Sequence, residues 1–306
     1  MLKEVNDKNI DEQGERMVPA FHAGALVYGE HITRYESIAH LLKDKVVLDI
    51  ASGSGYGSYI MAESAQKVIG VEIDQDSVDY ATRNYGRKNI EFKLGSAEEI
   101  PLKDASVDVV VTFETIEHIE NYRKFLREIK RVLKPDGFAI VSTPNDPEFP
   151  EGNHFHLHEF EEEELQNELA AYFKNQKMSY QYTWMMAATM KQEDAGKAGA
   201  LNSLELQNLA PLTKEKALYF MVICSDNSID NLEVKSIGAL SEHYSARGEQ
   251  DRVADYVNTI ESLKGQLTTA NERIEEIYNS KSWKIISSVY TFRHNLKNGR
   301  KEKSDK

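Results

Sequence analysis

Two groups of residues in this 306-residue chain have types and spacings that can do chemistry. The first is an acid-and-histidine string, Phe113-Glu114-Thr115-Ile116-Glu117-His118, with a histidine run downstream, His154-Phe155-His156-Leu157-His158. If the string forms a turn or a short helix, Glu114, Glu117 and His118 converge. Carboxylate oxygens and imidazole together suit Mg²⁺, Mn²⁺ or another borderline divalent ion. An ion held there would lower the pKa of a hydroxyl bound to it. Without an ion, Glu117, His118 and His156 offer a general base or a contact to the reacting molecule. A purely structural role stands beside both readings.

The second group is a glycine loop, Asp49-Ile50-Ala51-Ser52-Gly53-Ser54-Gly55-Tyr56-Gly57, with Glu72 placed 19 residues after Gly53. The glycines read G-x-G-x-G, not the G-x-G-x-x-G of nicotinamide-binding loops, and an acid, Asp49, ends the preceding strand. Glycines let the backbone turn tightly and approach a ligand. Glu72, at the end of the next strand, is positioned to accept hydrogen bonds from ribose hydroxyls. A helix starting near Tyr56 attracts a carboxylate to its N-terminus. This spacing favours a methyl donor, whose amino-acid end is a zwitterion, over a dinucleotide.

The elements that must position these groups follow from short β-branched runs alternating with amphipathic stretches. Strands are predicted at Lys45–Ile50, Lys67–Ile73, Ile90–Leu94, Val107–Phe113, Phe138–Thr143, Lys177–Tyr182 and Ala217–Ser225, and helices at Tyr56–Glu63, Gln75–Tyr85, Tyr122–Leu133 and Glu161–Tyr172. Lys134-Pro-Asp-Gly137 stops the third of these helices and turns the chain into the next strand. The fold class is therefore α/β: a seven-stranded, mostly parallel, Rossmann-like sheet with helices on both faces. Both chemical groups then fall at the carboxyl ends of strands, where such sheets bind ligands.

The expected organisation is an N-terminal cap over residues 1–44, the α/β domain over 45–225, a polar linker over 226–248, a helix over 249–280 and a basic amphipathic tail over 281–306. Within the α/β domain, Ala187–Leu212 reads as an insertion or lid. Val253, Tyr256, Ile260, Leu263, Leu267, Ala270, Ile274 and Ile277 repeat at alternating three- and four-residue steps, a coiled-coil seam that implies a homo-oligomer. A single amphipathic helix lying on the parent domain is the alternative. The tail places Ile285, Ile286, Val289, Phe292 and Leu296 on one side behind Trp283, with basic residues around them. Such a helix suits an anionic membrane surface or remains solvated.

Composition narrows the partners. With 41% hydrophobic and 28% charged residues and no long apolar run, the chain is expected not to span a bilayer. Its polar N-terminus lacks the pattern of a secretory signal, so the expected location is the cytoplasm, peripheral to the inner face of the membrane if the tail binds there. The net charge of −13 divides into +6 over residues 281–306 and −19 over the rest. So acidic a body makes nucleic acid an unlikely partner, because phosphate binding draws on Lys and Arg. Cys224, the sole cysteine, reads as a core thiol.

Residues 45–145 resemble the class I S-adenosylmethionine-dependent methyltransferases. Val46-Val-Leu-Asp-Ile-Ala-Ser-Gly-Ser-Gly-Tyr-Gly57 is similar to their first motif, Val71-Glu72 to the second, Leu94-Gly-Ser-Ala-Glu-Glu-Ile-Pro101 to the adenine-binding segment and Val107-Asp-Val-Val-Val111 to the strand after it. The resemblance implies S-adenosylmethionine as cofactor, held by Asp49, Ala51, Gly53, Gly55, Gly57, Glu72, Ile73, Ser96, Ala97 and Glu114. Ser96 stands where the family usually has aspartate, which leaves Ser96 Oγ or Glu98 for the adenine amine. The E-x-x-E-H string is similar to that of metal-dependent 2′-O-methyltransferases of small RNAs and of some ubiquinone-pathway O-methyltransferases. That likeness implies a metal set of Glu114, Glu117, His118 and His156, with His158 as the alternative to His156.

Outside the core, Gly14-Glu-Arg-Met-Val-Pro19, Glu30-His-Ile-Thr-Arg-Tyr35, the Phe155-His-Leu-His-Glu-Phe160 element and Ser280-Lys-Ser-Trp-Lys284 resemble bacterial methyltransferases of surface-polysaccharide synthesis. This implies an O-methyltransferase acting on a saccharide or lipid-linked glycan, with Glu117, His118 and His156 catalytic and His31, Arg34 or Tyr35 covering the donor or binding the sugar. A quinol or other small-molecule acceptor, a catalytically silent donor-binding module and a nicotinamide enzyme are the competing readings.

Overall fold

The computed structural model describes residues 17–22, 26–145, 155–183, 189, 191–193, 212–239 and 246–285. Two compact units divide the chain, Met1–Tyr244 and Ser245–Lys306.

The first unit is built on strands β1 (Val46–Ile50), β2 (Lys67–Glu72), β3 (Ile90–Leu94), β4 (Val107–Phe113), β5 (Leu133–Pro144), β6 (Asn175–Gln181) and β7 (Tyr219–Ser225). Its helices are α1 (Pro19–His22), α2 (Leu26–Ile38), α3 (Tyr56–Met61), α4 (Gln75–Tyr85), α5 (Tyr122–Val132) and α6 (Glu162–Ala170). The strands form one sheet in the order β3-β2-β1-β4-β5-β7-β6, with β7 antiparallel to both neighbours. The order reverses between β1 and β4, and that switch point places Asp49 and Glu114 at the same edge of the sheet.

Alternation along each buried strand sorts apolar side chains onto two faces. Val47, Val68, Val109 and Val111 pack with Tyr35, Ile38, Tyr56, Met61 and Tyr80 of α2, α3 and α4. Leu48, Ile69, Val71 and Val110 pack on the other face with Phe125, Leu126 and Ile129 of α5 and with Leu165 and Leu169 of α6. Cys224 is buried in this second cluster. The N-cap of α4 is Asp74, which accepts from the Ser77 N–H, and Asn121 does the same for α5 through Lys124.

The structure departs from expectation in two places. β5 begins at Leu133, five residues before Phe138, because Leu133 already pairs with Val107 and the register shift before Val109 absorbs Lys134–Gly137. The polar stretch after Ser225 is stitched to the sheet domain instead of hanging from it: Ile229 is buried, Leu232 and Val234 pack on the first cluster, and the Lys235 N–H donates to the Ser37 carbonyl. Most of the Ala187–Leu212 insertion lies outside the described residues.

In the second unit, α7 (Ala246–Asn279) is a single 34-residue helix. Ile260, Leu263, Leu267, Ile274 and Ile277 are all exposed along it. The tail beyond Ile285 lies outside the described residues. Among the described residues, no helix is long and apolar enough to cross a membrane.

Candidate active site

The site is assembled at the carboxyl edge of the sheet, and its first half surrounds the glycine loop. Asp49, at the end of β1, is buried and accepts a 2.6 Å hydrogen bond from Ser58 Oγ of α3. Burial, offset by that bond and reinforced by the Glu72 charge, lifts its pKa to about 7. Ala51, Gly53 and Gly55 follow with positive φ angles of 60°, 54° and 88°. Glycine accommodates this conformation readily. Alanine does not, so Ala51 holds local strain directly after β1.

The glycines serve packing as much as ligand approach. A Cβ on Gly55 would stand 2.5 Å from Ala81 Cβ, and one on Gly57 would stand 2.2–2.5 Å from the Tyr35 ring and hydroxyl. Their smallness lets α4 and α2 close on the loop.

Glu72 ends β2 nearly buried, and its carboxylate accepts three backbone N–H groups: Gly53 at 2.9 Å, Ile73 at 3.0 Å and Asp74 at 3.1 Å. A carboxylate has about four acceptor positions. Taking both ribose hydroxyls, as expected from the sequence, therefore requires Glu72 to release at least one of these bonds. Ile73 and Leu94, at the ends of β2 and β3, are 72% and 50% exposed. Leu94 pairs with Glu72 across the β2–β3 register. Ser96 Oγ accepts from the Glu98 N–H and closes a turn, and Ala97 packs against the second core cluster.

The second half surrounds the end of β4. Glu114 takes φ 51°, a strained angle for glutamate, and this sends the chain into the 3-10 turn Ile116–His118. Glu117 is fully buried; its Oε2 accepts from Thr143 Oγ1 at 2.9 Å, and its Oε1 has no hydrogen-bond partner among the described residues. Burial first, and then the Glu114 charge, hold its pKa well above the carboxylate range. His118 Nε2 lies 3.9 Å from Glu117 Oε1, while His118 Nδ1 bonds the Phe155 carbonyl at 2.9 Å. The N–H groups of Leu157 and His158 both donate to the Glu117 carbonyl, which ties the second histidine run to the turn. His156 points inward with Nδ1 2.7 Å from Glu159 Oε1, and its ring meets that of His118 edge-on at 4.8 Å.

Ligand atoms of Glu117, His118 and His156 lie within 4.8 Å of one another. The three residues fit a divalent cation on two counts: a buried carboxylate oxygen lacks a partner, and each imidazole is oriented through Nδ1 by a second group. Glu114, expected as a fourth ligand, is not in this group. Its Oε1 accepts from Ser142 Oγ at 2.7 Å and pairs with Arg34 at 3.4 Å. His158 also turns elsewhere, with Nε2 2.9 Å from Glu164 and its ring against Phe160. His154 lies outside the described residues.

Between the halves stands α2. Its Arg34 is fully buried over the Tyr219 ring, 4.5 Å from the centroid, with Nη1 on Gln181 Oε1 at 3.1 Å. Burial opposes the guanidinium charge, but Glu114, Tyr219, Tyr56 and Glu30 together raise its pKa. His31 Nδ1 meets Tyr56 OH at 2.5 Å, and burial with the Arg34 charge keeps the imidazole well below its usual pKa, hence neutral. Glu30, Gln181 and Tyr219 were not foreseen, because they join Arg34 only through the tertiary fold. Ser142 and Thr143 left a signal, a polar pair ending the apolar run Phe138–Val141.

Residues 48–141 match the family described as "Methyltransferase domain". A probable S-adenosylmethionine-dependent methyltransferase of Mycolicibacterium smegmatis is 38% identical over 152 residues. The chain carries an S-adenosylmethionine-dependent methyltransferase domain. That match covers 50% of this chain and 58% of the relative. A probable S-adenosylmethionine-dependent methyltransferase of Mycobacterium tuberculosis is 37% identical over 157 residues, 50% of this chain and 57% of that one. The match thus spans under two thirds of either relative. A ubiquinone biosynthesis O-methyltransferase of Rickettsia conorii is 30% identical over 114 residues, 36% of this chain and 39% of that one. The methyl donor of this domain is S-adenosylmethionine.

Proposed function

We propose that this protein is an O-methyltransferase acting on a hydroxyl of a saccharide or lipid-linked glycan, with a divalent ion held by Glu117, His118 and His156. The observation that carries the proposal is the buried Glu117 Oε1, without a hydrogen-bond partner, facing two oriented imidazoles. An alcohol is a poor nucleophile near neutral pH and needs a base or a metal. The donor supplies an electrophilic methyl group on a sulfonium. A divalent ion in this site would lower the pKa of an acceptor hydroxyl and orient it.

The protein's own residues supply the rest. Glu72 and the loop from Asp49 to Gly57 hold the nucleoside end. Thr143 fixes one oxygen of Glu117 and leaves the other for the cation or the hydroxyl proton. Glu159 and the Phe155 carbonyl orient His156 and His118 through their Nδ1 atoms. With no ion bound, the same Glu117 and histidines would act as the base.

The exposed apolar stripe of α7 supports self-association through that helix, and Trp283 and Ile285, exposed in the following turn, support docking of the tail on an anionic membrane. The protein is then a cytoplasmic oligomer peripheral to the membrane.

Transfer of radiolabel from S-adenosylmethionine to a panel of nucleotide sugars and lipid-linked oligosaccharides tests the acceptor. The reading expects label in a glycan; label only in a quinol would move the assignment to the second reading. That reading, a quinol-type O-methyltransferase, is favoured by the likeness to the Rickettsia conorii protein. Donor binding without turnover on any acceptor would point to a silent module.

A further inference from the structure

The helix that joins the two halves of the site is a weak one by itself. α2 has 13 residues, among them Gly29, Ile32, Thr33 and Ser37, which gain little in a helix. Isolated helices this short are marginal in water. α2 is therefore held by what it touches, and it touches both halves. Tyr35 meets the ring of Tyr56 in the glycine loop at 5.6 Å and that of Phe113 at the end of β4 at 5.0 Å, while Arg34 pairs with Glu114. A shift of α2 along its axis moves all of these contacts together.

The polar segment after β7 reaches this helix from a firm anchorage on the sheet. Asn175 Nδ2 of β6 donates to the Asn227 carbonyl at 2.9 Å, Asn227 Nδ2 donates to the Pro135 carbonyl of β5 at 2.8 Å, and Lys177 of β6 pairs with Glu233 at 3.2 Å. Ile229 is buried. Leu232 and Val234 alternate with the exposed Glu233 and Lys235, which puts the two apolar side chains on one side, in the first core cluster. The Lys235 N–H then donates to the Ser37 carbonyl at 3.0 Å, where α2 gives way to the 3-10 turn Ala39–Leu42. Carbonyls at a helix end run short of intrahelical partners, and Lys235 supplies one. Further on, Ala239 Cβ lies 4.0 Å from the position that a Cβ on Gly29 would take. From Gly29 to Ser37 the helix rises about 12 Å, and an extended chain from Lys235 to Ala239 spans about 13 Å. Residues 235–239 therefore run alongside α2, antiparallel to it.

We propose that residues 229–239 are a strap that positions α2 across the carboxyl edge of the sheet, and that donor affinity depends on the strap through Tyr35 and the glycine loop. Ile229, Leu232, Val234 and the Lys235 N–H are positioning groups that act through α2. They lie well beyond residues 48–141, which carry the family match. When the strap is loosened, the apparent affinity for donor falls by the fraction of molecules in which α2 is seated. By reciprocity, a bound donor tightens the strap.

The test uses the full chain, with S-adenosylhomocysteine binding followed by calorimetry and backbone opening by hydrogen exchange. In wild type, saturating S-adenosylhomocysteine is expected to slow exchange about fivefold or more both in α2 and in residues 229–239, a comparison that needs no variant. Lys235→Pro removes the N–H. It is expected to weaken S-adenosylhomocysteine binding about fivefold or more and to speed α2 exchange by a similar factor, while the amides of β1, β2 and β4 exchange as in wild type. Lys235→Ala keeps the N–H and should bind as wild type does. Val234→Ser loosens the apolar side of the strap, should act in the same direction as Lys235→Pro, and takes its place if thermal melts show that the proline variant is unfolded. Unchanged affinity in the folded variants overturns the proposal. So does a loss of affinity in which α2 and the strands open equally faster, the mark of a merely structural role, or donor binding that leaves residues 229–239 unprotected in wild type.

Discussion

The two halves of the carboxyl edge treat their buried charges differently. Around β1 and β2, the Glu72 carboxylate is held by three backbone N–H groups and Asp49 by Ser58. Around β4, β6 and β7, Glu117 Oε1 and the outer edge of Arg34 are buried without partners among the described residues. An unmade hydrogen bond at a buried polar atom costs about 1–3 kcal/mol, more for a charged group. The first half thus holds both of its carboxylates in hydrogen bonds, although Ser52 Oγ in the loop is buried without a partner among the described residues. In the proposed function, an ion, a proton or a substrate would complete the second.

The strongest way to break this comparison is Glu117→Gln. It keeps the Thr143 bond and the volume but removes the charge. Methyl transfer from labelled donor is expected to fall about 10²–10⁴-fold, with S-adenosylhomocysteine affinity by calorimetry essentially unchanged. An equal loss in both would mean that the halves are one unit.

Asp49→Asn probes the framework side. The folded protein holds the Asp49 proton up to about pH 7, whereas the unfolded chain releases it near pH 4. Stability is therefore full below about pH 4, falls as pH rises toward 7 and stays lowered above that. Asparagine removes this loss, so the ligand-free variant should be the more stable by about 2–4 kcal/mol at pH 8, with little difference near pH 4. Thermal melts of the two proteins at both pH values check the sign. A wild type as stable as the variant at pH 8 would show that Asp49 is not buried uncompensated.

Gly57→Ala should cost about 1–3 kcal/mol of stability through its clash with Tyr35, and should weaken donor binding along with it. Denaturant midpoints report the first effect and calorimetry the second. The smallest effect is expected at His158→Gln, whose contacts are with Glu164, Phe160 and Tyr122, away from the Glu117–His118–His156 group. Activity should stay within about twofold of wild type, in contrast to the inward-facing His156.

The sheet was legible in the sequence because its strands are short β-branched runs separated by amphipathic helices, and the glycine loop and Glu72 lie at its carboxyl edge as expected. The acid-and-histidine string was visible as a group that could converge after β4, and Glu117, His118 and His156 do lie together. The partition within that string was hidden. Nothing in Glu114 or Ala51 as residue types signals a positive φ, and it is the turn at Glu114 that aims its side chain at Arg34 while Glu117 stays with the histidines. The surroundings of Arg34 were equally invisible, since Gln181 and Tyr219 reach it from strands far along the chain. The sewing of residues 226–235 onto the domain was missed because a polar segment with isolated apolar residues, Ile229, Leu232 and Val234, carries no periodicity.

We propose above that Glu117, His118 and His156 form the reactive half of a methyltransferase centre. The most direct test is anomalous diffraction from crystals grown with S-adenosylhomocysteine and Mn²⁺, paired with activity after exhaustive chelation. The account predicts an ion bonded by Glu117, His118 and His156, absent in Glu117→Gln, and methyl transfer that falls on chelation and returns with metal. No ion at these residues, together with undiminished transfer in chelator, would contradict it.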